Sequence, residues 1–203
     1  MRKGMLLVLS APSGTGKDTV AARLLQAEPN LVKSVSATTR APRPGEEHGK
    51  HYFFLSPEGF QELEERGGLL EQAVYNGNRY GTPREFLERM RGQGHDVVLV
   101  IDVAGGQNLK RMGEDAVYVC IVPPSFAELR RRLAGRGTED EQTIRSRLEW
   151  AKTEMARLGE YDYVVVNEDI DRAVRDVQAI LRAERMAMKR NLEVLDQIKG
   201  GID

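Results

Sequence analysis

Residues 5–19 read Met5-Leu6-Leu7-Val8-Leu9-Ser10-Ala11-Pro12-Ser13-Gly14-Thr15-Gly16-Lys17-Asp18-Thr19, an apolar run that breaks into a glycine-bearing turn and ends in Gly16-Lys17. The order predicts strand, phosphate-binding loop, helix. In such a loop the glycines turn backbone N–H groups inward onto phosphate oxygens, a lysine reaches the β- and γ-phosphates, and the helix N-terminus adds partial positive charge. Ala11, Pro12, Ser13, Gly14, Thr15, Gly16, Lys17, Asp18 and Thr19 are therefore candidates to bind nucleotide phosphates. The loop departs from G-x-x-x-x-G-K-[ST] twice. Ala11 stands where the first glycine is usual, and Asp18 where a Mg²⁺-binding hydroxyl is usual, with the hydroxyl displaced to Thr19. The alternative is a glycine-rich turn that only caps a helix; the strand-like run before it argues for the phosphate loop.

The 203 residues, 40% apolar, suffice for one good core with small appendages. Thirty Lys and Arg against 31 Asp and Glu give a net charge of -1, which argues against nucleic-acid binding by bulk electrostatics and makes any anion recognition local. The one cysteine, Cys120, lies in the apolar run 117–122, so no intrachain disulfide can form. A buried thiol in a reducing, cytosolic setting fits. Residues 5–9 are too few for a signal-peptide core and no stretch reaches transmembrane length.

Further strand-like runs lie at 97–101, 117–122 and 163–166, each followed by a segment of helical composition. Buried runs alternating with helices predict an α/β fold with a parallel sheet. Between the first and second runs, about ninety residues carry Arg-Pro pairs, most of the Tyr and Phe, and Gly-Asn turns, which reads as an inserted substrate region. Helix starts are expected at Ser125 with Glu128, at Thr82 with Pro83 and Glu85, and at Thr138 with Glu141. From about Asp171 the chain is charged and helical in pattern, with Val174, Val177, Ile180 and Leu181 spaced to pack on the core and an end that frays. His48, His51 and His95 show no metal-ligand spacing and are expected at the surface.

In Ser36-Ala37-Thr38-Thr39-Arg40-Ala41-Pro42-Arg43-Pro44-Gly45-Glu46, two arginines three apart sit among prolines that stiffen the backbone. Arginine binds phosphate bidentately, and a stiff loop loses less entropy on binding. A solvated Pro-rich loop would have the same composition. Together with the phosphate loop, this segment, Gly49-Lys50-His51-Tyr52-Phe53-Phe54, Gly77-Asn78-Arg79-Tyr80-Gly81-Thr82, Gly135-Arg136-Gly137-Thr138-Glu139 and Tyr161-Asp162-Tyr163-Val164-Val165-Val166-Asn167 resemble the guanylate kinase family in order and spacing, to about Glu184.

The resemblance implies a P-loop core at 1–35, 92–125 and 158–203, a GMP-binding region at 36–91 and a mobile lid at 126–157. It implies Mg²⁺-dependent phosphoryl transfer from ATP to GMP. Arg40, Arg43, Tyr52 and Tyr80 would hold the GMP phosphate; Ser36, Glu71, Thr82 and Asp102 would contact guanine, with Glu46 also on the substrate side. A carboxylate accepts from both N1–H and the 2-amino group of guanine, and adenine has no such donor pair. Thr82 is equally a helix cap, Glu71 a solvated acid and Tyr52 a core residue on their own patterns. Arg132, Arg136 and Arg147 would close from the lid onto the ATP phosphates and exclude water, whereas Arg130 and Arg131 read as solvated. Arg132 and Arg136 share a helix face if the helix runs that far. Asn167 falls on the nucleotide side.

Phosphoryl transfer needs positioning and charge stabilisation rather than a nucleophilic side chain; Lys17 and Arg40 would supply that charge. The family usually has an acid two positions before Asp102, where this chain has Val100. Asp18 then either supplies an oxygen to Mg²⁺ or its waters, or only complements the helix dipole. Two rival readings share the phosphate loop or the arginines: a kinase for a ribose phosphate, and a non-catalytic phosphopeptide-binding module. Residues 185–203 suit either a homodimer contact or a frayed end.

Overall fold

The computed structural model describes residues 3–75, 77–135 and 141–199. The opening apolar run forms β1 (Leu6–Ser10), with every residue buried, and the glycine turn leads into α1 (Lys17–Ala27). Next come β2 (Leu31–Lys33), the two-residue strands β3 (Ala37–Thr38) and β4 (Phe53–Phe54), α2 (Pro57–Glu65), β5 (Leu69–Tyr75), β6 (Asn78–Pro83) and α3 (Arg84–Gly92). Then follow β7 (Asp96–Ile101), α4 (Val103–Arg111), β8 (Val117–Val122), α5 (Phe126–Ala134), α6 (Glu141–Met155), β9 (Tyr163–Val166), α7 (Ile170–Met186) and α8 (Leu192–Lys199).

The main sheet has the order β2-β7-β1-β8-β9, and all its pairings are parallel. Its central strands read as continuous apolar runs because both faces are covered. Alternate residues of β1 go to opposite sides. Leu7 and Leu9 pack with Val20 and Leu24 of α1 and Val174, Val177 and Leu181 of α7; Leu6 and Val8 pack with Leu87 of α3 and Leu109 of α4. Ile180 is half-buried beside the first group, so the expected α7 stripe is the one observed. The tail continues past α7 as a further helix, α8.

The inserted region builds a second sheet, β4-β3-β6-β5, antiparallel except for the β3–β4 pair. Its strands are too short or too irregular to show period-2 patterning; β5 and β6 even shift register between Leu69 and Gln72. Fully buried Phe60 of α2 anchors it, with the Arg79 guanidinium 4.6 Å from its ring centre. Burial of that ring contributes about 2 to 3 kcal/mol. Leu70 of β5 joins the cluster under α3 and α4, which ties the two sheets together.

Of the expected helix starts, Ser125 caps α5 by accepting from the Glu128 N–H. The Glu128 carboxylate does not reach back; it binds Arg131 and Arg132. The Thr82 cap is overturned. Strand β6 runs through Thr82, Pro83 takes the cap position of α3, and the Thr82 hydroxyl is drawn off by Glu71. Thr138 lies outside the described residues, and α6 begins at Glu141.

Candidate active site

The site forms where the parallel strands end, since β1 leads into the phosphate loop, β7 into Asp102 and β9 into Asn167. In open α/β sheets that edge is where ligands bind. Gly14 and Gly16 have φ of +87° and +91°, which only glycine adopts without strain. Both are also crowded. A Cβ on Gly14 would meet Leu133 Cδ2 at 2.6 Å, and one on Gly16 would meet Asn167 Nδ2 at 2.6 Å. The buried Thr15 hydroxyl donates to the Pro12 carbonyl at 2.9 Å, closing the loop on itself.

Two residues expected on the nucleotide side, Asn167 and Arg132, brace the loop backbone. Asn167 Nδ2 donates to the Thr15 carbonyl at 2.7 Å, and Arg132 donates to the carbonyls of Thr15 and Asn167 at 3.3 and 2.9 Å. Glu128 backs Arg132 through a 2.7 Å bond and is held at a pKa of about 2 by hydrogen bonds from Arg131 and Arg132. Arg132 of α5 thus touches the backbone of the loop. Helix α5 ends at Ala134, and Arg136 lies outside the described residues. Arg147 is half-buried on α6.

Ala11, Pro12, Ser13, Gly14, Thr15, Gly16, Lys17, Asp18 and Thr19 line one cavity of about 300 Å³, together with Asp102 and Glu154. The Lys17 side chain is 18% exposed, and burial lowers its pKa against the opposing pull of Asp18 and Asp102. Asp18 lies 3.9 Å from the Lys17 ammonium but is 90% exposed. Asp102 caps α4 by accepting from the Gly105 N–H at 2.7 Å. Sequence reasoning missed Glu154. Burial, then repulsion from Asp102, pushes its carboxyl up to about 7, while Lys17 pulls it down.

In the second sheet, Arg40 grips Glu46 with two 2.9 Å bonds, and Glu46 also accepts from the Arg43 N–H at 2.7 Å. Those bonds, Arg40 first, hold the Glu46 carboxyl at about 2; the same pairing, with Tyr80 adding to it, raises Arg40. The Arg40 guanidinium lies 5.5 Å from the Tyr52 ring centre, and the Tyr52 and Tyr80 rings meet edge to face at 6.1 Å. Arg40, Tyr52 and Tyr80 therefore cluster, Glu46 is the residue that aims Arg40, and Arg43 is exposed beside them. Fully buried Thr82 donates to Glu71 at 2.6 Å. Burial raises the Glu71 carboxyl, the Thr82 hydrogen bond opposes the rise, and the Asp102 carboxylate adds to it. Ser36 enters through its backbone, whose carbonyl accepts from the Phe53 N–H at 2.8 Å. His48 and His51 are exposed as expected and accept from the N–H groups of Phe54 and Glu47; His95 is half-buried against Asn30. Cys120 is buried, with its thiol pushed up to about 12 by desolvation.

The parallel sheet and the loop at its carboxyl edge define a P-loop protein of the α/β, NTPase type. The profile of the guanylate kinase family matches residues 3–184. A curated guanylate kinase from Rhizobium meliloti (strain 1021) is 46% identical over 200 residues, 98% of this chain and 91% of the relative. One from Escherichia coli (strain K12) is 44% identical over 98% of this chain and 97% of its own. The crystal structure of guanylate kinase from Anaplasma phagocytophilum superposes with a TM-score of 0.73 at 43% identity, covering 96% of this chain and 94% of that one. The chain belongs to the guanylate kinase family.

Proposed function

We propose that this chain transfers the terminal phosphoryl group of ATP to GMP, giving ADP and GDP. The observation that carries the reading is the position of Asp102, which lines the phosphate-loop cavity with Lys17 and caps α4, the helix that packs on β5, the strand carrying Glu71. One carboxylate serving both sites suits a reaction in which donor and acceptor meet end to end. The loop N–H groups and Lys17 bind the ATP phosphates, while Arg132 and Asn167 hold that loop in shape. The Arg40 cluster binds the GMP phosphate, and Glu71 with Thr82 reads guanine. Residues 36–91 act as the GMP-binding region and 126–157 as the lid, from which Arg147 serves the phosphates.

The donor set fits Mg²⁺. Asp18, Thr19, Asp102 and Glu154 offer hard oxygens around one cavity. Among the described residues no three acids close on a metal alone, which suits an ion that keeps its waters and arrives on phosphates. When bound, the ion neutralises charge on the β- and γ-phosphates. Asp18 is the candidate to accept from its water shell, and Asp18→Ser should then raise the Mg²⁺ concentration needed for half-maximal turnover severalfold. An unchanged titration would leave Asp18 as a partner of the helix dipole only. Among the described residues no helix is long and apolar enough to cross a membrane.

The reading is tested by ADP formation from Mg-ATP with GMP, AMP, UMP, CMP or a ribose phosphate as acceptor, beside a Lys17→Ala control. Turnover with GMP alone, lost in the control, is the expected result; turnover only with the sugar phosphate would overturn the base pocket.

A further inference from the structure

We propose that Glu154 makes the donor site select metal-loaded over metal-free ATP, acting as a specificity-determining residue. The inference rests on the donor-site assignment above. Helix α6 buries Ile144 and Ala151 and half-buries Leu148 and Met155 against α5. Arg147 and Glu154 stand on the same inward stripe, where an apolar residue is the norm. A carboxylate in such a position costs desolvation unless a ligand or partner compensates it. Glu154 belongs to the lining of the phosphate-loop cavity, and its charge is felt by both Lys17 and Asp102.

Charge accounting at the cavity then discriminates between ligands. Among the described residues, the side-chain cation in its lining is Lys17, with Arg132 held behind the loop on the Thr15 carbonyl, against the carboxylates of Asp18, Asp102 and Glu154. Asp18 is largely in water and Asp102 spends one oxygen on its helix cap, so above about pH 7, where its carboxyl is ionised, the half-buried Glu154 exerts the least screened repulsion on an incoming anion. Bare triphosphate meets that repulsion undiminished. With the divalent ion on its phosphates, the same carboxylate becomes an attraction, through the field or through a metal-bound water. Metal-free ATP cannot react productively, so a site that rejects it avoids a dead-end complex. Strand β7 carries Val100 beside Ile101 and Asp102, so this carboxylate reaches the cavity from α6 and not from that strand.

Trp150, the chain's one tryptophan, is 71% exposed one helical turn before Glu154, so its emission reports on α6. Titrating the full chain with ATP at about pH 8.5, where the Glu154 carboxyl is ionised, in excess EDTA and again in excess Mg²⁺, gives two dissociation constants and their ratio, with calorimetry as a second readout. In Glu154→Gln, which keeps shape and removes charge, metal-free ATP should bind more tightly and the ratio should fall about tenfold, the scale of one charge at several ångström in a half-buried site. Glu154→Asp keeps the charge and should hold the ratio within about twofold of wild type. A ratio unchanged in Glu154→Gln, both constants moving together, or Glu154→Asp losing the ratio equally would each overturn the proposal and leave Glu154 a packing residue. Wild type that binds neither form would overturn the donor-site assignment, and the proposal with it.

Discussion

At Glu71 a carboxylate is held in the fold by one hydroxyl, with Thr82 donating to Oε1 at 2.6 Å and burial raising the acid's pKa. A base with two adjacent N–H donors satisfies such a group; a base lacking them leaves it buried and unpaired. Glu71→Gln presents one acceptor and one donor to guanine's two donors, so a donor faces a donor. That mismatch should lower kcat/KM for GMP by about 10² to 10³-fold, or about 3 to 4 kcal/mol, while KM for ATP stays near wild type. Steady-state kinetics with each substrate varied in turn checks it, and a change under about threefold would remove Glu71 from the base pocket. Arg40 raises a related point at the same scale. Both of its terminal nitrogens are engaged by Glu46, so a phosphate must share or displace that carboxylate.

Among the elements, α5 supplies through Arg132 one of the side chains that hold the phosphate loop, and its clamp is titratable. Glu128 is held at about 2 by Arg131 and Arg132, below the ordinary carboxylate value of 4.5. A depressed pKa contributes stability that is fully present above about pH 4.5 and disappears as pH falls toward 2. Glu128→Gln should therefore flatten the acid limb of the thermal midpoint between pH 4.5 and 2, and slacken the Arg132 contacts to Thr15 and Asn167. Midpoints recorded against pH for both proteins decide the matter; parallel curves would mean the clamp contributes nothing.

This clamp also shows how far the sequence could be read. Arg132 and Asn167 stand out by pattern, but their bonds run to backbone carbonyls 117 and 152 residues away, which no local signal encodes. The central strands are legible because they are continuous apolar runs. By contrast, β3 and β4 comprise two residues each, below any usable period. Thr82 fits a cap pattern, yet a buried carboxylate competes for its hydroxyl and wins. Glu154 was visible in principle as a charge on the inward stripe of α6. Which group it would face depended on where α6 packs, and that is a tertiary fact.

Across the whole molecule, function and stability occupy opposite ends of the main sheet. Asp102 follows the carboxyl end of β7, while Asp96 begins the strand, roughly 20 Å away at about 3.3 Å per residue. Asp96 is fully buried, accepts from the Met5 N–H at 2.8 Å and binds Arg185 Nε at 2.7 Å; Arg185 also reaches Glu28 at 3.0 Å. The network ties the start of β1, the start of β7, the end of α1 and the end of α7 into one joint. Asp96→Ala would orphan a buried N–H and strip Arg185 of a partner, and breaking a buried pair costs about 3 kcal/mol or more. For a chain of this length that corresponds to a fall in thermal midpoint of about 6 to 12 °C. Because the joint lies at the far end of the strands from the phosphate loop, KM for ATP and GMP measured well below the midpoint should stay within about twofold of wild type. If Asp96→Ala instead raised either KM tenfold at full folding, the two ends of β7 would be coupled through the strand, and the separation of stabilising and catalytic ends would fail.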